Sequence, residues 1–347
     1  MLLEAERLAR GLEDDRERSV AFRAIARALA ETGQIVEAER IARRIENDAY
    51  RSSTFRTIAH ALDEAGQIVE AQEMFSEAER IARGIEDDGD RNSALSDIAD
   101  ALAQTGQVVE AKRIARGFED DASRSAAFRD IAWTLAQTGQ VIEAQEMFSE
   151  VERIARGIEN DASRSDALSN MAWILARTEQ FSEAERIARG IENDRRRSSA
   201  LSDIARGLAE TGQFSEAERI ARGLEGDRGR SSAFRDIAGA LAETEQVVEA
   251  LEMFSEAGHI ARRIEDDWNR SYALSNVAWA LARTRQFSEA ERVARGVEDD
   301  RERSSALSEI ALRLAETRQF SEAERIARGI EYDGGQSFAL RVIAQQL

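Results

Sequence analysis

An Asp-x-x-Arg element recurs through this chain at Asp15, Asp48, Asp88, Asp121, Asp161, Asp194, Asp227, Asp267 and Asp300. A degenerate tenth copy begins at Asp333, with Gln336 in place of Arg. The intervals are 33, 40, 33, 40, 33, 33, 40, 33 and 33 residues. Self-similarity at such a period leaves few folds open. Each copy is one supersecondary unit with one apolar face, and only stacking on its neighbours buries that face.

Within a copy the apolar spacing is helical. Leu201, Ile204, Ala205 and Leu208 fall at i, i+3, i+4 and i+7, which predicts an amphipathic helix A. Ser198 stands before the stripe as the expected N-cap, and the other copies have Ser there except for Asn92. After a short Thr-Gly-Gln link, Ala217, Ile220, Ala221 and Leu224 predict a helix B at the same spacing. Two helices joined by so few residues form an antiparallel hairpin.

The 40-residue copies carry seven extra residues in helix B, beginning at Gln72, Gln145 and Leu251. Seven residues are two helical turns, so the stripe keeps its face with about 20° of drift, and the helix lengthens by roughly 10 Å. Glycine occupies two recurring slots. The one before the last apolar residue of helix B (Gly190) is Arg in two copies, Arg44 and Arg263. That excludes a left-handed requirement and suggests close packing. The link slot at Gly212 is elsewhere Glu179, Glu245, Arg285 or Arg318, so a glycine C-cap is favoured but not obligatory. The Asp-x-x-Arg turn, the Glu of the Gly-Ile-Glu segments and the link Gln read as structural, through hydrogen bonds and ion pairs between repeats. Glu185 and Arg189, at i and i+4, are placed to pair on the exposed face of helix B.

At these residues the chain resembles the tetratricopeptide (TPR) repeats. Leu201 stands where that family has its first large aromatic, Ile204 and Ala205 match its Leu-Gly pair, Leu208 its Tyr, and Ala217 the small residue opening helix B. Ala221, beside Ile220, falls on the family's large helix B residue, and the helix-ending Pro is absent. The resemblance implies an all-α fold: a right-handed superhelical α-solenoid of stacked antiparallel hairpins with 33- or 40-residue repeats. It covers residues 1–347 as a single array, beginning at a helix B (Leu2 to Glu13) and ending at a helix A (Phe338 to Leu347). It also implies that the outer face of helix A lines a concave, peptide-binding groove.

That face is where the copies differ. With the first apolar residue of helix A as zero, positions −2, +1, +2 and +5 point away from the core at 100° per residue. The +5 column reads Arg27, His60, Asp100, Trp133, Trp173, Arg206, Gly239, Trp279, Leu312, Gln345. Three of the chain's 4 Trp residues lie in it. The −2 column includes Asp166 and Tyr272, and the +2 column is polar, with Asp130, Asn170 and Asn276. The scaffold is copied while one face is varied. One reading makes Trp133 with Asp130, Trp173 with Asn170, and Trp279 with Asn276 partner-binding anchors, since Trp beside polar groups is the usual composition of an interface hot spot. Trp133 and Trp173, in consecutive copies, are placed for a shared site. The other reading packs the indoles between adjacent A helices. The TPR carboxylate clamp relies on Lys, Arg and Asn on this face, an arrangement the column lacks.

Composition narrows the partner. The formal net charge is −19, with charged residues at 33% and both signs interspersed. This points away from nucleic acid and toward a protein or peptide partner carrying Lys or Arg. No run approaches the roughly 18 apolar residues that would span a bilayer, so no membrane partner is expected. The absence of Cys fits a cytoplasmic setting. An enzyme is not expected: His60 and His259 are the only His, and no carboxylate is singled out among the many repeats. Neither a phosphate loop nor a metal-ligand cluster is present in the sequence, so no cofactor or metal is expected. The rival to a binding scaffold is self-assembly. The unpaired terminal helices each expose a stripe the other could cover, giving a head-to-tail oligomer or ring; a segment of a larger multidomain signalling protein fits equally.

Overall fold

The computed structural model describes residues 2–346, and the side chains among them except those of Leu2, Leu3 and Asp333. The described residues form 20 α-helices and no strand. The A helices are α2 (Asp15–Glu31), α4 (Asp48–Glu64), α6 (Asp88–Gln104), α8 (Asp121–Gln137), α10 (Asp161–Arg177), α12 (Asp194–Glu210), α14 (Asp227–Glu243), α16 (Asp267–Arg283), α18 (Asp300–Glu316) and α20 (Asp333–Gln346). The B helices are α1 (Leu2–Arg10), α3 (Ile35–Ala42), α5 (Ile68–Arg83), α7 (Val108–Arg116), α9 (Val141–Gly157), α11 (Phe181–Arg189), α13 (Phe214–Arg222), α15 (Val247–Ala261), α17 (Phe287–Arg295) and α19 (Phe320–Arg328). They group into two compact units, Met1–Ala167 and Leu168–Leu347.

Every A helix starts on the Asp of the Asp-x-x-Arg element, one turn earlier than the apolar stripe suggested. The residue before that Asp is the cap: the Asn193 side chain accepts from the Arg196 N–H, and that of Asp266 from the Asn269 N–H. Ser198, expected as the cap, lies inside α12 and its hydroxyl donates to the Glu225 carbonyl at 3.2 Å. The buried Ser52 and Ser231 bond likewise to Ala78 and Ala257, each at 2.9 Å. A short hydroxyl serves a helix end or a cross-helix bond equally well, and here it does the second.

The Asp-x-x-Arg pair closes the first turn. Arg197 Nη2 lies 2.6 Å from Asp194, and its Nη1 donates to the Ile191 carbonyl at 2.8 Å, tying α12 to the end of α11. Arg197 also reaches Glu225 at 3.0 Å. The Glu of the Gly-Leu-Glu segment was expected to bridge repeats; it instead joins the A helix to the end of its own hairpin. Bridges between neighbouring hairpins run along the B helices, as Glu79–Arg113 at 2.5 Å and Glu185–Arg219 at 2.6 Å. Glu185 pairs with Arg189 as well, at 2.5 Å.

Each described A-to-B link is a Schellman-type turn. The Gln213 N–H bonds to the Leu208 carbonyl and the Gly212 N–H to that of Ala209. Gly212 has φ +79°, and Glu179, Glu245, Arg285 and Arg318 adopt φ of 60° to 63° in the same slot. The left-handed geometry is therefore common to these links whichever residue supplies it. In the other glycine slot the nearest atoms to an added Cβ are mostly carbonyls of the same helix, and at Gly117 the Arg83 guanidinium of α5 also stands 3.7 Å away. Gly84, with φ −87°, caps α5 in ordinary helical geometry, and a Cβ there would meet the Ile81 and Arg80 carbonyls of its own last turn, at 3.3 and 4.0 Å.

The extra heptads are absorbed in helix B, which has 16 residues in α5 against 9 in α7, and they bury Met74 and Phe75, then Met147 and Phe148. The stripe Leu201, Ile204, Ala205 and Leu208 is buried, as are Ala217, Ile220, Ala221 and Leu224, the last just beyond the end of α13. Phe55, Phe128, Phe234 and Phe254 are the largest fully enclosed side chains. Alanine at alternate core positions lets the helices approach, and the Phe and Ile side chains fill the space that remains.

Candidate partner-binding faces

The A-helix residues that point away from the core line cavities in both units. In the first unit, α6 and α8 enclose about 440 Å³ lined by Asp97, Asp100, Gln104, Asp130, Trp133 and Thr134, among others. Asp97, Asp100 and Asp130 converge there because each follows the helical stripe by a fixed offset. Asp100 accepts hydrogen bonds from Thr134 and, at 2.9 Å, from Gln104. Asp97 has Arg56 at 3.7 Å and Asp130 has Arg129 at 2.8 Å. Trp133 is half-buried beside them. An indole wall with three carboxylates is a setting for a cation, held by charge and by the ring face together.

In the second unit, α12, α14 and α16 line a groove of about 1070 Å³. It holds Arg206, Arg235, Asp236, Tyr272, Asn276, Trp279 and Arg283, with Gly239 and several alanines among its lining residues. Gly239 takes the slot that holds Trp133 and Trp279 in other copies, and nothing stands within 4 Å of where its Cβ would be. Arg206 pairs with Asp203 at 2.7 Å. Burial raises the Asp203 carboxyl above its ordinary range, and the neighbouring Arg206 opposes the shift. A second cavity of about 620 Å³ lies beside Trp279, between α18 and α20, with Leu312, Tyr332 and Phe338 on its walls.

Of the residues singled out from sequence, Trp133 and Asp130 thus share one cavity, and Arg206, Tyr272, Asn276 and Trp279 share another. Asp166 is half-buried in the first unit. Trp173 and Asn170 belong to the second unit and are exposed, with the Arg177 guanidinium 5.5 Å from the Trp173 ring centre. Sequence reading missed Trp268, which is 57% exposed and stacks on Tyr272 with ring centres 5.4 Å apart. A signal was there: Trp268 stands four residues before Tyr272, one turn up the same face. Arg235, at an outward +1 position whose column carried no aromatic signal, and Arg283, at none of the outward positions, were also missed.

Among the described residues no group of three or more His, Cys, Asp or Glu is placed to hold a metal ion. No described helix is long and apolar enough to cross a membrane.

No family model and no curated protein matches the chain. Among solved structures it is similar to Ton1535 from Thermococcus onnurineus NA1, at 19% identity and TM-score 0.37, covering 92% of this chain and 97% of that one. A Rap protein complexed with competence and sporulation factor is 14% identical with TM-score 0.31, over 86% of this chain and 100% of that one. A signal-transduction STAND ATPase with a tetratricopeptide repeat sensor, from Pyrococcus horikoshii, is 13% identical with TM-score 0.31, over 97% of this chain and 53% of that one. The chain's own geometry is what decides its class. A and B helices alternate, each described A-to-B link turning through a left-handed residue, and within each unit successive A helices pack side by side. It is an all-α array of antiparallel helical hairpins, the arrangement that the resemblance to TPR repeats implied. The A helices line the cavities described above, and the B helices carry ion pairs between hairpins such as Glu79–Arg113.

Proposed function

We propose that this TPR-like chain is a protein-interaction scaffold that binds a peptide or protein segment along the varied face of its A helices. The observation that carries the reading is the grouping of Asp97, Asp100 and Asp130 around Trp133. The scaffold needs neither the Trp133 indole nor the Asp100 carboxylate, since other copies place Arg, Gly or Leu in the slot they share. A Lys or Arg side chain of the partner enters this cavity. Its aliphatic stem lies on the indole, and its charge meets carboxylates that at present share only Arg, Thr and Gln partners. In the second unit, Tyr272 and Trp279 offer flat apolar surfaces, and Arg206, Asn276 and Arg283 supply the polar contacts that fix register. The work is binding rather than catalysis, because every charged group here acts by position and none is paired as acid with base.

The test is an array of immobilised peptides probed with the labelled chain. Lys- and Arg-rich segments bind the wild type, and a combined Asp97→Asn, Asp100→Asn, Asp130→Asn variant loses them while keeping its helical circular dichroism. The combined Trp133→Ala, Trp173→Ala, Trp279→Ala variant loses aromatic- and apolar-containing segments. Unchanged binding by both folded variants returns these residues to the scaffold.

A further inference from the structure

The second residue of the B helices sets the two units apart. In the first unit α3, α5, α7 and α9 open on two β-branched residues, and Val36, Val69, Val109 and Ile142 stand 79%, 66%, 77% and 72% exposed. In the second unit α11, α13, α17 and α19 open on Phe-Ser and present Ser in that slot; only α15 keeps Val248. The hairpin forms with either residue, so its fold does not require the apolar one. Valine and isoleucine at a helix start also lose side-chain freedom, which makes them a poor choice for a merely solvated slot.

These four side chains occupy one slot in successive hairpins. Neighbouring B helices lie within side-chain reach: Arg113 on α7 meets Glu79 on α5, and Lys112 on α7 meets Glu146 on α9 at 3.2 Å. The exposed residues therefore form a row, and such rows mark interaction sites. The rim of the row carries both signs, with Arg40, Arg80, Lys112 and Arg113 each held in an ion pair, and the charges left unpaired there are acidic. Glu70, Glu73 and Glu143 make no ion pair among the described residues, and Glu73 lines a cavity of about 430 Å³ beside Val69.

We infer that this row is a docking ridge for a cationic amphipathic helix of a partner protein. The partner's apolar face covers Val36, Val69, Val109 and Ile142, and its flanking Lys or Arg residues meet Glu70, Glu73 and Glu143. The same glutamates disfavour an anionic membrane surface. The ridge is on the B helices and does not depend on the A-helix cavities.

The full chain is titrated into a fluorescent amphipathic Leu/Lys helix of about 20 residues, and into its Leu/Glu counterpart, at about 0.15 M salt where surface charge is screened beyond 8 Å. Fluorescence anisotropy reports binding. The Leu/Lys helix binds and the Leu/Glu helix does not. The combined Val36→Ser, Val69→Ser, Val109→Ser, Ile142→Ser variant, which carries the residue the second unit uses, binds at least about tenfold more weakly. On a Trp133→Ala, Asp130→Asn background, which removes the A-helix cavity as a second site for Lys, the ridge substitutions weaken binding by the same factor. If the Ser variant loses helicity, the same four positions changed to Thr, close in shape to Val, give the reading. Equal binding by wild type and ridge variant overturns the inference by reducing it to charge attraction. So does a wild-type dimer that the ridge variant abolishes without any binding of the Leu/Lys helix, and so does binding of the ridge to phosphatidylcholine vesicles in place of the peptide.

Discussion

Arg197 on α12 and Glu225 beyond the end of α13 close one hairpin, with Nη2 to Oε2 at 3.0 Å across 28 residues of sequence. The same relation joins Arg18 to Glu46 at 3.3 Å, Arg270 to Glu298 at 2.7 Å and Arg303 to Glu331 at 3.3 Å. In each case the Arg is half-buried while the Glu is largely exposed, so the arginine is the anchored partner.

That asymmetry predicts unequal losses. Arg197→Ala removes the ion pairs and also the hydrogen bond to the Ile191 carbonyl, and costs about 1–2 kcal/mol. Glu225→Gln costs about 0.5 kcal/mol or less, as an exposed pair should. A double-mutant cycle by urea unfolding then gives a coupling of no more than about 0.5 kcal/mol. A coupling above about 2 kcal/mol would mean that water screens the pair far less than its exposure implies.

The links predict a stability gain from glycine. Arg285 and Glu245 hold φ near 63°, where a side chain costs about 1 kcal/mol. Arg285→Gly relieves the crowding but frees the unfolded chain, for a net gain of about 0.5 kcal/mol. Gly212→Ala, at φ +79°, loses about 1 kcal/mol. Thermal melts of the two variants, shifted in opposite directions, check the pair.

These links also show what could be read in advance. The repeat, the hairpin and the buried stripe follow from apolar spacing, because burial has a direction and 3.6-residue periodicity records it. Leu201, Ile204, Ala205 and Leu208 are therefore all inside. The helix start was misplaced by a turn because Asn193 and Ser198 are both capable caps, and sequence does not say which hydroxyl or amide is spent on a neighbouring helix. Of the candidate sites, the varied columns were legible. The meeting of Asp97, Asp100 and Asp130 was not, since it depends on how α6 and α8 pack. Nor was the groove around Gly239, because what defines it there is a missing side chain.

Glu6 predicts the acid limb of stability. Its carboxylate is 2% exposed on α1 and is held by Arg10, Arg40 and Arg44, with Arg40 at 2.9 Å. Hydrogen bonds from Arg40 lead in lowering it to about 2 against burial, which raises it; Arg10 adds to the lowering. A carboxyl lowered in the folded state stabilises it fully above the unfolded value near 4.3 and progressively less as pH falls toward about 2. Urea midpoints measured from pH 5 down to pH 2 therefore fall in the wild type. In Glu6→Gln they start lower and fall less steeply. Parallel curves would mean that other carboxylates set the acid limb.

Gly239 sets the last prediction. It lies inside α14 with nothing within 4 Å of a Cβ, where Ala is favoured by about 1 kcal/mol over Gly. Gly239→Ala should therefore raise the urea midpoint by the equivalent of about 0.5–1 kcal/mol. The missing side chain leaves open space beside Tyr272, Asn276 and Trp279 in the groove of the second unit. Gly239→Trp supplies the side chain that other copies carry and fills that space while the helix remains intact. Peptides selected on the wild-type groove should then bind Gly239→Ala with little change and lose affinity for Gly239→Trp by about tenfold or more. If the Trp variant binds them as well as the wild type does, the opening at Gly239 is not where a partner sits, and binding must lie along Arg206 and Arg235 instead.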